Sequence, residues 1–263
     1  MDLKNKVAVI TGAASGIGAA SAIQLAARGV KIVLGDLNEK GLEAVLSEIK
    51  TKGGDAVAVK TNVTIEEDVI HLMDSAIQIF GAIHIVIPSA GIFKDAFMVS
   101  PDRETGKVKR FMGTDQFMAV INVNLLGTFL ALREASIRMI DNNWNGILFT
   151  ISSINKEGQI GQLNYSSTKA AVALWPKILV GEFHAKRIKD IRVVGIAPGY
   201  VETPILMGMK AEVLDGIIKD VAIGRLVKVK EIVDSIIFSI ENDAITGTTL
   251  EISGGVIANG LAK

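Results

Sequence analysis

Seven short runs rich in β-branched and aliphatic residues recur along the chain, separated by longer stretches of helical period, and this alternation restricts the fold more than any other feature. The runs are KVAVIT (6–11), KIVLGD (31–36), AVAVKT (56–61), IHIVIP (83–88), GILFTIS (146–152), IRVVGIA (191–197) and TTLEIS (248–253). Most are apolar at consecutive positions, as strands covered on both faces must be. Helix-like stretches lie near 16–29, 39–52, 65–80, 114–141, 163–188 and 229–241. Strand and helix in alternation predict an α/β fold, a doubly wound sheet of about seven parallel strands with helices on both faces.

No linker or internal repeat interrupts the pattern. With 263 residues, 49% of them hydrophobic, the chain is long enough for one sizeable core. We therefore expect one domain over 1–263. Two segments break the rhythm. Residues 93–113 are charged at the centre and apolar at the edges, which suits a surface hairpin flanking a site. Residues 199–225 carry Met, Leu and Ile after the sixth run, the composition of a lid over an apolar substrate.

The turn after the first run, TGAASGIG (11–18), places Gly12, Gly16 and Gly18 ahead of a helix. Glycines there permit a tight turn and let backbone N–H groups approach a pyrophosphate, and the strand–turn–helix context is the one a Rossmann fold requires. Asp36 ends the second run, 18 residues after Gly18, near the offset at which an acid meets the adenosine ribose. Its charge would repel a 2′-phosphate, and Leu37 and Asn38 supply no cation, so NAD is expected over NADP. A helix N-cap is the other reading of Asp36.

In NYSSTKAA (164–171) Tyr165 and Lys169 sit four residues apart, on one face of a helix. A phenol is a poor base near neutrality unless a neighbouring cation favours its anion, and the lysine is placed to do so. The pair makes a general acid/base. Ser152 and Ser153 follow the fifth run, where a hydroxyl could polarise a substrate carbonyl at the sheet's edge. Asn124 lies inside a helix-like stretch, where an amide has poor propensity.

Charge and composition exclude much else. Net charge is zero, with 28 basic and 28 acidic residues, so nothing points to nucleic acid. No cysteine is present, which removes disulfides and thiolate metal sites. His71, His84 and His184 are scattered, and no metal site is expected. A short apolar start ending in a glycine turn is unlike a leader peptide, no run of about 18 apolar residues is seen, and a cytoplasmic protein without a membrane span is expected.

The turn TGAASGIG, Asp36, NV (62–63), AG (90–91), VNLLG (123–127), ISS (151–153), YSSTK (165–169), APGYVET (197–203) and TGTTLEISGG (246–255) together resemble the short-chain dehydrogenase/reductase family along nearly the whole chain. The resemblance implies a catalytic tetrad of Asn124, Ser153, Tyr165 and Lys169, with Asn124 holding a water in a proton relay. It implies nucleotide contacts at Gly12, Ser15, Gly16, Ile17, Gly18, Asp36, Leu37, Asn62, Val63, Ala90, Gly91, Tyr165, Lys169, Pro198, Gly199, Val201 and Thr203. EGQIGQ (157–162), the charged insertion, TPIL and SIEND are similar to the NAD-dependent short-chain 3-hydroxyacyl-CoA dehydrogenases, the group that includes 17β-hydroxysteroid dehydrogenase type 10. That likeness implies an acyl-CoA substrate, with Gln162 beside its carbonyl and the insertion near the CoA side. A homotetramer built through the helices of Asn124 and Tyr165 and through the C-terminal strand is implied as well, with the tail GGVIANGLAK (254–263) suited to the last interface.

Other substrates remain open at this point: a hydroxysteroid, a cyclic or aromatic alcohol, or an acyl-carrier-protein thioester. A non-catalytic partner subunit is the reading from another class, motivated by departures from the family pattern. Pro88 and Ser89 stand where asparagines are usual, and Asn62 replaces the usual Asp. Strand register from Gly146 favours Ser153 as the catalytic serine, whereas spacing to Tyr165 favours Ser152.

Overall fold

The computed structural model describes residues 1–256, apart from the side chains of residues 204 and 205. The tail residues 257–263 of the expected interface lie outside the described residues. In chain order the elements are β1 (Val7–Thr11), α1 (Gly16–Ala26), β2 (Lys31–Asp36), α2 (Glu39–Thr51), β3 (Ala56–Lys60), α3 (Glu66–Phe80), β4 (Ile85–Pro88), β5 (Val99–Pro101), β6 (Val108–Phe111) and α4 (Thr114–Val120). After a π-helical turn (Ile121–Leu126) come α5 (Gly127–Asp141), β7 (Gly146–Ile151), a 3₁₀ turn (Ile154–Glu157), α6 (Leu163–Ala185), β8 (Ile191–Pro198), α7 (Pro204–Met207), α8 (Ala211–Lys219), α9 (Val229–Glu241) and β9 (Thr248–Ile252).

Seven strands form one parallel sheet in the order β3-β2-β1-β4-β7-β8-β9, the doubly wound arrangement expected from the alternation. Period-2 alternation sorts each strand's side chains between two cores. Ala8, Ile10, Ile85, Ile87 and Phe149 pack towards α1, α2 and α9, while Val7, Val9, Val86 and Leu148 pack towards α3 and α5. Strand order reverses between β1 and β4, so a crevice opens at the C-terminal ends of those two strands, where sheets of this kind take their ligands.

Segment 93–113 holds the antiparallel hairpin β5–β6, as expected. Segment 199–225 holds α7 and α8, and α8 buries none of its residues. Helix α6 runs as one element through the buried Pro176. Thr114–Asp141 is long and apolar enough in composition to cross a membrane. The fold uses α5 of this stretch as a core helix, burying Leu130, Ala131, Leu132, Ala135 and Met139 against the sheet and α3, with Glu134 held between Arg133 and Arg138.

Arg192, on β8, ties down α9. Its guanidinium donates to the carbonyls of Ser239 (2.7 Å), Ile240 (2.7 Å), Ile245 (2.9 Å) and Asn242 (3.2 Å), and it pairs with Asp243 at 3.1 Å. These are carbonyls at and just beyond the end of α9, some of which lack a partner within the helix. Arg192→Met removes the donors and leaves part-buried acceptors behind, so it is expected to lower unfolding stability by about 3 kcal/mol. A urea titration measures this.

Candidate active site

The crevice begins with the glycine turn. Gly12 has φ +65°, and a Cβ there would stand 2.6 Å from Ala90 N; a Cβ on Gly18 would stand 2.3 Å from Gly12 O. Both positions therefore admit only glycine. Gly16 is also left-handed, with φ +57°, but has open space beyond it, and Ser15 caps α1 without a side-chain bond to the first turn. The backbone N–H groups of that turn face the crevice with no acidic side chain among them. Ile17, on the same turn, packs back on the core. This cradle fits a dinucleotide pyrophosphate.

Asp36 stands at the tip of β2, part exposed. Its Oδ2 accepts from Ala14 N (3.1 Å) and its Oδ1 from Asn38 N (2.9 Å). The N-cap of α2 is Asn38, which accepts from Gly41 N, so the capping reading of Asp36 does not hold. Each carboxylate oxygen keeps a lone pair for a further donor. Leu37 beside it is 58% exposed.

The departures have structural answers. Pro88 ends β4, whose pairing with β7 covers only Ile85 and Val86, so the missing N–H breaks no ladder there. Ser89 N donates to Thr11 O and Ala90 N to Thr11 Oγ1, holding the β4 end to β1. Asn62 does not offer its acceptor to a ligand: Oδ1 takes the Thr64 N–H and hydroxyl. Val63 is buried beneath Gly127, where a Cβ would stand 2.8 Å from its Cγ2. At the far side, Pro198 ends β8 and Gly199 closes on Ser253; Val201 points into the core, and Thr203 N turns back to Val201 O.

Tyr165 and Lys169 share a face of α6 near the end of β7. The Lys169 Nζ lies 5.4 Å from the phenol ring centroid and donates to Ile151 O at 2.8 Å. Burial pushes its pKa down to about 8. Phe93 meets the Tyr165 ring edge-on, centroids 6.3 Å apart. Burial pushes the phenol above its usual range, with the Ser153 hydroxyl pulling it down and the Asp95 carboxylate pushing it up. The Lys169 ammonium gives one of its three N–H groups to Ile151 O and stands beside the phenol ring, while burial and the Asp95 carboxylate raise the phenol.

The two serines are distinguished by their partners. Ser152 is buried and donates to Lys169 O at 2.7 Å, whereas Ser153 accepts from Asn155 N at 3.1 Å and bears on the phenol. Asn124 lies in the π-helical turn, a feature frequent at functional sites. Its amide accepts from Ile92 N and donates to Ile92 O, both at 2.8 Å, fixing the loop that carries Gly91 within 3.8 Å of Lys169 Nζ for a glycine Cβ. Both ends of the Gln162 amide are engaged too, by Asp95 and Asn155. The sequence reading missed Phe93, Asp95 and Asn155. Asp95 and Phe93 fall in the charged insertion, which was the available signal; Asn155 had none.

Beyond Asp95 a hollow of about 540 Å³ is lined by Ala96, Phe97, Ser100, Arg110, Phe111 and Gln116. A glycine cradle, an acid at the tip of β2 and a Tyr–Lys pair on one helix face suit a dinucleotide-dependent oxidoreductase. The short chain dehydrogenase family model matches residues 6–213. The chain belongs to that family. It is 31% identical to the 3-oxoacyl-[acyl-carrier-protein] reductase of Thermotoga maritima, covering 98% of this chain and 100% of that one. It is 35% identical to the cis-4-hydroxycyclohexanecarboxylate dehydrogenase of Sinomonas cyclohexanicum, over 96% and 97% of the two chains. Among solved structures, a 7α-hydroxysteroid dehydrogenase complexed with NADH and 7-oxoglycochenodeoxycholic acid superposes with a TM-score of 0.85 at 28% identity, covering 97% of this chain and 96% of that one.

Proposed function

We propose that this oxidoreductase uses NAD to interconvert a secondary alcohol and its ketone, with a 3-hydroxyacyl-CoA and 3-oxoacyl-CoA as the pair. The observation that carries the chemistry is the convergence of Ser153, Tyr165 and Lys169 at the end of β7, beside the crevice. NAD held by the glycine turn and Asp36 would supply hydride transfer to and from the carbinol carbon. The Tyr165 Oη takes or returns the hydroxyl proton, the Ser153 hydroxyl donates to the substrate oxygen, and Lys169 holds the nicotinamide ribose and favours the phenolate. Asn124 acts from behind by fixing the Gly91–Ile92 loop.

NAD preference rests on Asp36, whose free lone pairs suit the two ribose hydroxyls and whose charge opposes a 2′-phosphate. Asp36→Ser is expected to cut the preference of kcat/KM for NAD over NADP at least about tenfold. Likeness to a 3-oxoacyl-[acyl-carrier-protein] reductase supports a 3-oxoacyl thioester, and likeness to a (3R)-3-hydroxyacyl-CoA dehydrogenase of Homo sapiens supports CoA as its carrier. NADH absorbance with 3-hydroxybutyryl-CoA and longer 3-hydroxyacyl-CoAs tests it, against acyl-carrier-protein thioesters and simple secondary alcohols. A cyclic alcohol is the second reading, favoured by the Phe97 and Phe111 walls of the hollow and by the cyclohexane-type relative. Turnover of 4-hydroxycyclohexanecarboxylate but of no thioester would select it.

The same proposal includes a homotetramer. Leu126, Phe129, Ile137 and Ile140 near and along α5, and Leu174 and Ile178 on α6, are exposed apolar residues on the helices of Asn124 and Tyr165. Light scattering is expected to give about four times the 27.9 kDa chain mass.

A further inference from the structure

The insertion loop is joined to the catalytic serine by three hydrogen bonds, the last two meeting at Asn155, one on its side chain and one on its backbone. Asp95 Oδ2 accepts from Gln162 Nε2 at 2.7 Å, Gln162 Oε1 accepts from Asn155 Nδ2 at 2.8 Å, and Asn155 N donates to Ser153 Oγ at 3.1 Å. The carboxylate, an acceptor only, fixes the Gln162 amide, which turns its NH₂ to Asp95 and its oxygen to the Asn155 side chain. The side-chain anchor holds Asn155 in place, and its backbone N–H donates to Ser153 Oγ, leaving the serine's own proton to donate outwards. The loop itself is pinned, with Ala96 N on Gly161 O at 2.9 Å, Asn164 Nδ2 on Lys94 O at 3.1 Å and Gln116 Nε2 on the carbonyls of Lys94 and Asp95.

We propose that Asp95, Gln162 and Asn155 form a positioning relay that aims the Ser153 hydroxyl at the Tyr165 phenol, with Asp95 also setting the charge environment of that phenol. The role in turnover rests on the dehydrogenase reading above. The charged groups on the elements packed about the phenol are Lys169 on α6, Lys156 and Glu157 on the 3₁₀ turn, Glu251 on β9, Asp115 on α4, Arg192 on β8, and Lys94 and Asp95 on the loop. Lys156 pairs with Glu157 and Glu251, and Arg192 is committed to the end of α9. Asp95 is the carboxylate whose charge raises the phenol, set against the Lys169 ammonium 5.4 Å from the ring centroid. It also lines the hollow, so an occupant there touches the start of the relay.

Two variants separate charge from geometry. Asp95→Asn keeps an acceptor for Gln162 and removes the negative charge, so the tyrosinate midpoint should fall by roughly half a pH unit or more. Gln162→Leu cuts the relay while keeping the charge, so the midpoint should rise and kcat should drop. The chain has two tyrosines, and a Tyr200→Phe background leaves Tyr165 alone to be read by ultraviolet absorbance after a pH jump, with no nucleotide or substrate present. A midpoint that stays put in Asp95→Asn, or that falls in Gln162→Leu, overturns the relay. Opposite shifts in a protein that oxidises no alcohol would leave the relay standing and remove the dehydrogenase reading instead.

Discussion

Tyr165→Phe is expected to lower kcat for alcohol oxidation by about a thousandfold, the scale of losing a positioned acid/base. KM for the alcohol and the dissociation constant of NADH should stay within about threefold, because the lost atom carries the proton and little ground-state binding. The substitution is a clean one. Phenylalanine keeps the ring that meets Phe93 edge-on and lies beside Lys169, so the wall of the site survives. Steady-state NADH production with fluorescence titration of NADH makes the measurement. A loss of less than tenfold would move the proton transfer to another group, with Ser153 the next to test.

Lys169→Met should abolish turnover and yet make the protein more stable. The ammonium is fully enclosed, and burial holds its pKa down at about 8 instead of the ordinary 10.5. The folded chain thus disfavours the charged form. Between pH 8 and 10.5 the unfolded chain binds more protons, so stability rises with pH through that window, and the full penalty of burial stands below pH 8. A displacement of that size corresponds to about 3 kcal/mol. Methionine removes this penalty but leaves Ile151 O without its donor, which returns about 1–2 kcal/mol of the gain. Urea unfolding at pH 7 should therefore show the variant more stable by about 1–2 kcal/mol, and the difference should shrink towards pH 10. A destabilised variant at pH 7 would mean that the Ile151 bond outweighs the buried charge. The gain in stability with loss of activity is the trade expected where a site holds a group the core would reject.

Much of the site is local in the sequence. The glycine turn follows a strand and opens a helix within a dozen residues, Tyr165 and Lys169 are one helical turn apart, and Asp36 closes a strand. Such features depend on the 3.6- and 2-residue periods, which any reader of the sequence can apply. Strand register also picked Ser153, because a packed strand dictates which way each side chain points. Spacing through the loop to Tyr165 pointed to Ser152, since a loop carries no such constraint. The hydroxyl of Ser152 is in fact turned onto Lys169 O.

What neither period nor propensity contains is the pairing of distant polar groups. Asp95 meets Gln162 across 67 positions, Asn124 closes on Ile92 across 32, and Lys169 reaches Ile151 across 18. These contacts refine the chemistry of the site: the lysine gives one N–H to a carbonyl, the Asp95 charge bears on the phenol, and Gln162 commits both ends of its amide and Asn62 its oxygen within the chain. The sequence by itself determined the doubly wound sheet, the glycine cradle and the Tyr–Lys face, because each follows from neighbours along the chain. Only the tertiary structure decided which distant polar groups and charges surround the phenol, because a buried polar atom must find a partner wherever the packed loops bring one.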